Sequence, residues 1–248
     1  QVQQAFSLDR RRGFLNVVDA IRTDPPDWVL LQFEQIGYGR WGLNPYVPLA
    51  ARRLRSAAPE TRIAVMFHED FMPASSVKFA VMTTWQRLQF WGLGRVADAA
   101  LFSTETKARR YEDWFPDTPV HHLPVGSNIP VVDAEPSRER ERLEIHPDDL
   151  VLGLFGSAHP SRLLSYVNAA AVACSRSRAD CCVLYIGPDG DDVRGALDSG
   201  IPLRDLGPLP AEDASRCFAA MDLYLAPFRE GVSTRRGSFL TGLEHGVP

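Results

Sequence analysis

The chain predicts an α/β protein of doubly wound parallel sheets, on three observations. Short apolar runs recur along it, for example Val29 to Phe33, Ile63 to Phe67 and Val151 to Phe155. Near-continuous runs of that length suit strands buried on both faces of a parallel sheet. Segments with apolar residues at helical spacing separate these runs, and strict alternation of strand and helix argues for crossover units. The strand exits, finally, are rich in Gly, Pro, His and Asn, which places polar loops at the carboxyl ends of strands, where this architecture gathers ligands.

In chain order, Phe14, Val17, Val18 and Ile21 mark a helix over 8–21, ended by the Asp24-Pro25-Pro26 stretch. A strand over 28–33 follows, then a glycine- and aromatic-rich exit over 34–45. Asn44 and Pro45 are a cap and first-turn proline for a helix through Leu54. The strand over 62–67 delivers His68, Glu69 and Asp70 to its carboxyl end. These three lack metal-site spacing, and a lone His at a strand exit is commonly structural. A helix over 76–92 carries Phe79, Trp85, Leu88 and Trp91. Such residues either fill a core or help to hold a lipid-like acceptor, and core is the commoner use. A strand over 98–103, a helix over 104–114 and a strand over 120–123 complete the first half.

Composition shifts at 131–149, where Pro136, Ser137 and an Arg-Glu-Arg-Glu-Arg run read as a linker. The predicted organisation is therefore a first domain over 1–130 whose first strand is missing, a linker over 131–149 and a second, incomplete domain over 150–248. In that second domain a strand over 150–155, a small-residue turn from Gly156 and a helix over 161–175 form a strand–glycine turn–helix unit suited to phosphate, though with neither a dinucleotide nor a P-loop signature. Strands over 182–186 and 203–206, a helix over 211–220 and a strand over 221–226 follow. The absence of an initiator Met, and an end on Gly246-Val247-Pro248 that would normally feed another strand, predict a chain truncated at both ends.

The net charge of −4 over 248 residues, without a long Lys/Arg run, argues against a nucleic-acid partner. The halves differ slightly, with 15 basic and 13 acidic residues in 1–130 against 12 and 18 in 131–248. Cys174, Cys181, Cys182 and Cys217 lack zinc-site spacing and read as buried thiols of a reducing compartment. With no membrane span and no signal-peptide pattern, a cytoplasmic protein is expected.

The closing stretch carries the chemistry. Gly231, Ser233, Thr234, Arg235, Arg236, Gly237 and Ser238 lie between a strand and the helix that Phe239, Leu240 and Leu243 announce. A helix start attracts phosphate through its unpaired N–H groups and dipole, and two guanidinium forks suit a diphosphate. The same residues also suit an ordinary cap and a solvated loop. Their place at a strand's carboxyl end favours the ligand.

In motif order the chain resembles the retaining GT-B glycosyltransferases, most closely glycosyltransferase family 4. The resemblance rests on Gly39 to Pro45, Val65 to Glu69, His122 to Pro130, Leu152 to Ser157, Leu206 to Leu209, and Ser233 to Ser238 with Gly246 to Pro248. It implies a GT-B fold, two Rossmann-like domains facing across a cleft, with the acceptor mostly on the first and a nucleoside-diphosphate sugar on the second. It also implies that neither metal nor other cofactor is needed, because backbone amides and cations hold the leaving diphosphate. Residue by residue, it implies Gly156 and Ser157 at the phosphates, Leu209 near the base, and Ser233, Arg235, Gly237, Ser238 and Thr241 in donor binding. His68, Glu230, Arg162 and Arg236 are the implied catalytic residues, with Gly39, Arg40 and Glu69 on the acceptor side. The family's paired glutamates are replaced: their positions fall on Ser233 and Thr241, Glu230 substitutes for the first, and the Ser-x-Arg-Arg-Gly-Ser stretch takes up diphosphate charge.

The function so implied is transfer of a sugar, with retention, to the hydroxyl of a saccharide or lipid-linked acceptor in cell-surface polysaccharide or glycolipid synthesis. The implied setting is cytoplasmic, at the inner face of the membrane, with peripheral association. The rival reading is a noncatalytic nucleotide-sugar or glycan-binding protein of the same fold. Of two further enzyme readings, a sugar-nucleotide epimerase would need an acid/base set, for which the sequence offers only His68, Glu69 and Glu230, and a pyridoxal phosphorylase is disfavoured because the only lysines, Lys78 and Lys107, lie in the first half.

Overall fold

A computed structural model describes residues 11–177 and 180–248, leaving aside the side chains of Arg11, Arg12 and Arg40. The predicted start of the first helix at 8–10 lies outside the described residues. The chain divides into two compact units, residues 1–124 and 125–248.

In the first unit, β1 (Trp28–Phe33), β2 (Arg62–Phe67), β3 (Ala99–Phe102) and β4 (Val120–His122) form a wholly parallel sheet in the order β1-β2-β3-β4. Helix α1 (Asn16–Thr23) precedes β1, and α2 (Tyr46–Ala57), α3 (Val77–Gly94) and α4 (Glu105–Tyr111) connect the successive strands. Ser76 and Thr104 start α3 and α4 by accepting the N–H of Phe79 and Lys107, each three residues on. The sheet packs on a core that is largely aromatic, with Phe33, Phe67, Phe90, Phe102 and Phe115 fully buried. Aromatic rings bring more buried area than any other side chains, which suits a sheet of four short strands.

Helix α3 departs from expectation. Phe79 and Trp85 are half-buried, but Leu88 and Trp91 point away from the core. Its inward face instead carries Thr83, Gln86 and Gln89 beside Met82, Phe90 and Leu93. Polar residues are tolerated there because they tie down loops. Gln86 accepts the Met72 N–H at 2.9 Å, and Gln89 donates to the Gly42 carbonyl at 2.6 Å.

In the second unit, β5 (Leu150–Phe155), β6 (Cys181–Ile186), β7 (Leu203–Asp205) and β8 (Leu223–Tyr224) are again all parallel, in the order β7-β6-β5-β8. The order reverses at β5, which makes the carboxyl ends of β5 and β8 a topological switch point. Helices α5 (Pro136–Arg142), α6 (Leu164–Ser177), α7 (Gly190–Ala196), α8 (Ala211–Phe218) and α9 (Gly237–Glu244) complete the unit.

The stretch 131–149 is not linker throughout. Pro136 occupies the first turn of α5, the Glu135 carboxylate caps Ser137 and Arg138, and Leu143 and Ile145 are buried in the second unit's core. The charged run is helical because its charges find partners: Arg142 meets Glu139 at 2.7 Å, and Arg140 meets Asp222 at 2.7 Å. Strand β8 is shorter than the predicted 221–226, because the chain turns at Pro227 to pair with the 161–163 segment. Helix α7 has no expected counterpart. Cys181, Cys182 and Cys217 are buried and free, and burial pushes the first two thiols up to about 11. Cys174 is free but only half-buried.

Candidate functional site

The switch point of the second unit gathers most of the residues singled out there. β5 ends at Phe155, and Gly156 turns the chain with φ +94°, a conformation that costs residues with a side chain. Its N–H donates to the Ile186 carbonyl at 2.9 Å, while the buried Tyr185 hydroxyl donates to its carbonyl at 3.1 Å and accepts the Asp189 N–H at 3.1 Å. Gly187 is needed alongside, since a Cβ there would stand 2.5 Å from the Gly156 carbonyl oxygen. The turn is thus held rigidly, with Ser157 exposed beyond it.

Arg162 reaches back under this turn. It is only 5% exposed, and its Nη2 donates to the Phe155 carbonyl at 2.7 Å. Its Nε and Nη1 are buried without a hydrogen-bond partner, and no carboxylate forms an ion pair with it among the described residues. Burial pushes its guanidinium down from the usual arginine range; the neighbouring Tyr224 and Tyr185 hydroxyls oppose that shift, and the like charge of Arg236 adds a smaller push in the same direction as burial. An arginine remains charged regardless. The Arg162 backbone bridges Phe228, and both guanidinium carbons lie over the Phe228 ring, 4.9 Å from its centroid for Arg162 and 4.6 Å for Arg236.

The third part is the start of α9. Gly231 (φ +75°) turns the loop, the Arg236 N–H donates to Ser233 at 3.0 Å, and Arg236 takes the N-cap position without a side-chain capping bond. The leading N–H groups at Gly237 and Ser238 therefore keep their capacity to bind an anion. Ser238 lies against the Gly156 turn, where a Cβ on Gly156 would be 3.4 Å from both the Ser238 Cβ and the Arg162 Nη2. The Tyr224 hydroxyl, at the end of β8, fixes the Ser238 carbonyl at 2.8 Å. Glu230 is mostly exposed and pairs with Arg235 at 2.8 Å and Arg236 at 3.8 Å.

Gly156, Ser157, Arg162, Arg236, Gly237 and Ser238 are thus brought together, with Arg235, Ser233 and Glu230 on the adjoining loop. Thr241 is elsewhere: fully buried, its hydroxyl bonds the Gly237 carbonyl and Ser127, both at 2.9 Å. Leu209 is half-buried and, like Phe155, packs against the core that includes Phe218. Phe228, Tyr185 and Tyr224 escaped the sequence reading. Only Phe228 had a visible signal, an aromatic in a polar, arginine-flanked loop.

In the first unit His68 follows β2, its N–H donating to the Phe33 carbonyl at 3.1 Å and its Nε2 meeting the Gln32 Oε1 at 2.6 Å. The Lys107 ammonium donates to the His68 carbonyl at 3.0 Å and pairs with Glu69 at 3.4 Å and Asp70 at 3.6 Å. Lys107 was also missed, although a lysine in the first turn of a helix opposes the dipole and so calls for a partner. Gly39 sits on the β1 exit loop within a turn closed by Gly42 N–H to the Gly39 carbonyl at 2.9 Å, and the Arg40 side chain lies outside the described residues. No group of three or more metal-ligating side chains occurs among the described residues.

No protein-family model matches the chain, and no curated protein sequence matches it. Solved structures do. A sucrose-phosphate synthase from Thermosynechococcus elongatus aligns over 92% of this chain with a TM-score of 0.59 and 12% identity. An alpha,alpha-trehalose 6-phosphate synthase from Burkholderia multivorans aligns over 96% with the same score and identity. Anabaena HepE, in complex with UDP-glucose, aligns over 86% with a TM-score of 0.52 and 15% identity. The fold is GT-B. The likeness at these identities is one of fold, and the chain spans 57%, 59% and 55% of those three structures. Within the GT-B frame, the β5–β8 switch point belongs to the second Rossmann-like unit.

Proposed function

We propose that this GT-B chain is a glycosyltransferase that moves a sugar from a nucleoside-diphosphate sugar to an acceptor hydroxyl with retention of configuration. We place it in the assembly of cell-surface polysaccharide or glycolipid. The observation that carries the reading is the buried Arg162, with two unpartnered nitrogens, between the Gly156 turn and the open start of α9. A buried guanidinium without a carboxylate calls for an anion, and a diphosphate offers enough oxygens to engage Arg162, Arg236 and the α9 amides together.

The chemistry follows from the charge. As the bond from the sugar's anomeric carbon to the diphosphate oxygen breaks, negative charge grows on the leaving group. Arg162 and Arg236, both held over Phe228, would meet it without reorganising. Arg235 adds a third cation tethered by Glu230, and Ser157 and Ser238 are hydroxyls at the rim of the same turn. Leu209 would pack against the base, and His68, with Gly39, Arg40 and Glu69, would serve the acceptor side from the first unit. Since cations of the chain itself carry the leaving group, the reaction needs no divalent metal.

The test is calorimetric titration of UDP, GDP, ADP and their sugars, followed by an assay for release of the nucleoside diphosphate. One of these nucleotides is expected to bind, equally well in excess chelator. Arg236→Ala is expected to slow transfer about a hundredfold, roughly 3 kcal/mol, with its thermal midpoint little changed. Unchanged turnover in Arg236→Ala would remove it from the site, and failure of every nucleotide to bind the folded protein would overturn the proposal.

A further inference from the structure

Helix α3 presents to solvent what helices ordinarily bury. Val77, Val81, Leu88 and Trp91 are 84%, 62%, 56% and 47% exposed. With Thr84 they follow one another at spacings of four, three, four and three, so they form a single stripe along the helix. The opposite face, with Gln86 and Gln89, is the one against the core.

The flanks of the stripe are basic. Lys78 lies on one side and Arg87 on the other, while Arg95 follows the last turn in line with the stripe. None of the three forms an ion pair among the described residues; each lies instead over an aromatic ring. Lys78 is 4.8 Å from the Trp41 centroid, Arg87 5.2 Å from Phe71 and Arg95 4.9 Å from Trp91. On the neighbouring α2, exposed Leu49, Arg52 and Arg53 line a shallow pocket with Asp19 and Arg22 of α1, and neither α2 nor α3 contains an acidic residue. The carboxylates that follow β2, Glu69 and Asp70, are already paired with Lys107 and Arg110.

We propose that the outer face of α3 docks the protein onto a bilayer containing anionic phospholipid. Exposed aliphatic residues with tryptophan between cations suit the boundary of acyl chains and headgroups, where the apolar stripe enters and the cations meet phosphate. No helix is long and apolar enough to cross a membrane, so α3 would lie in the plane of the surface. A second copy of the chain fits less well, because stripe-to-stripe pairing would bring the Lys78, Arg87 and Arg95 sets together with no carboxylate on either helix to offset them. The proposal is independent of sugar transfer and stands or falls separately from it.

The experiment is co-sedimentation of the full chain with vesicles of phosphatidylcholine alone and of phosphatidylcholine mixed with phosphatidylglycerol. Binding is expected only to the anionic vesicles, weakening as salt is raised. Lys78→Ala/Arg87→Ala is expected to weaken it about thirtyfold, taking each cation at its usual value near an anionic surface. Val81→Ser/Leu88→Ser/Trp91→Ser is expected to abolish it, with circular dichroism confirming the fold. Absence of binding to anionic vesicles at low salt, equal binding to neutral ones, or binding untouched by both variants would overturn the proposal. So would a dimer in analytical ultracentrifugation that the triple-serine variant dissociates.

Discussion

Buried polar side chains divide here into those with work for every atom and those without. Tyr185 uses its hydroxyl twice, holding the Gly156 turn and the Asp189 N–H. Gln35 is almost as deeply buried, yet both its amide atoms lack a partner. Burying an unpaired amide is unfavourable, whereas an aliphatic side chain of similar size incurs no such loss. Gln35→Leu is therefore expected to stabilise the protein by about 1 kcal/mol, read as a higher urea midpoint. A lower midpoint would show that the amide is satisfied in solution. Tyr185→Phe should do the reverse, losing about 1–2 kcal/mol because the Gly156 carbonyl and Asp189 N–H are left without it.

At the scale of elements, strands read more reliably than helices because burial on both faces leaves few alternatives: β2, β5 and β6 match their apolar runs to within a residue. Helix α3 shows where such reading ends. Core is the commoner use of its large residues, but spacing alone defines a stripe, not which way it faces, and the glutamines that decide the matter act through loops distant in sequence. Helix α5 hid behind charges that pair only once the helix exists. A further tie joins α2 to the chain before β3, where the Asp98 carboxylate accepts from Arg55 and from the Ile63 N–H, both at 2.7 Å. Partial burial pushes this carboxyl up, but those hydrogen bonds and the Arg55 and Arg62 charges outweigh it and hold Asp98 below its ordinary value of 3.8. A lowered folded-state value means that the stabilisation is present above the unfolded-state value and is lost as pH falls through the folded one. Asp98→Asn should thus cost about 1 kcal/mol at neutral pH, with the gap to the native protein closing in denaturation curves below pH 3.8.

For the whole molecule, the alternation of strands and helices was enough to read two α/β units, while their dividing point was displaced by α5 and its buried neighbours. The candidate donor site was legible as far as glycines and arginines, since these residue types carry their chemistry in the sequence. Phe228, Tyr185 and Tyr224 were not, because their roles arise only when the switch point brings three separate segments together. The hydrophobic cores of the two units share no residue. Calorimetric unfolding is accordingly expected to need two transitions, and a nucleoside diphosphate at a hundred times its dissociation constant should raise only the second unit's, by about 2.7 kcal/mol. A single transition with equal calorimetric and van't Hoff enthalpies would refute this independence.

Arg162 also bears on how stable the second unit can be. A cation held inside the protein with a backbone carbonyl, two tyrosine hydroxyls and an aromatic ring but no carboxylate, and with a like charge nearby, makes the second unit less stable than a purely apolar packing would. Heat resistance and the proposed nucleotide affinity then pull in opposite directions at this position. A library of variants selected only for survival at high temperature should enrich Arg162→Met early, and the survivors should be the proteins that no longer retain a nucleotide.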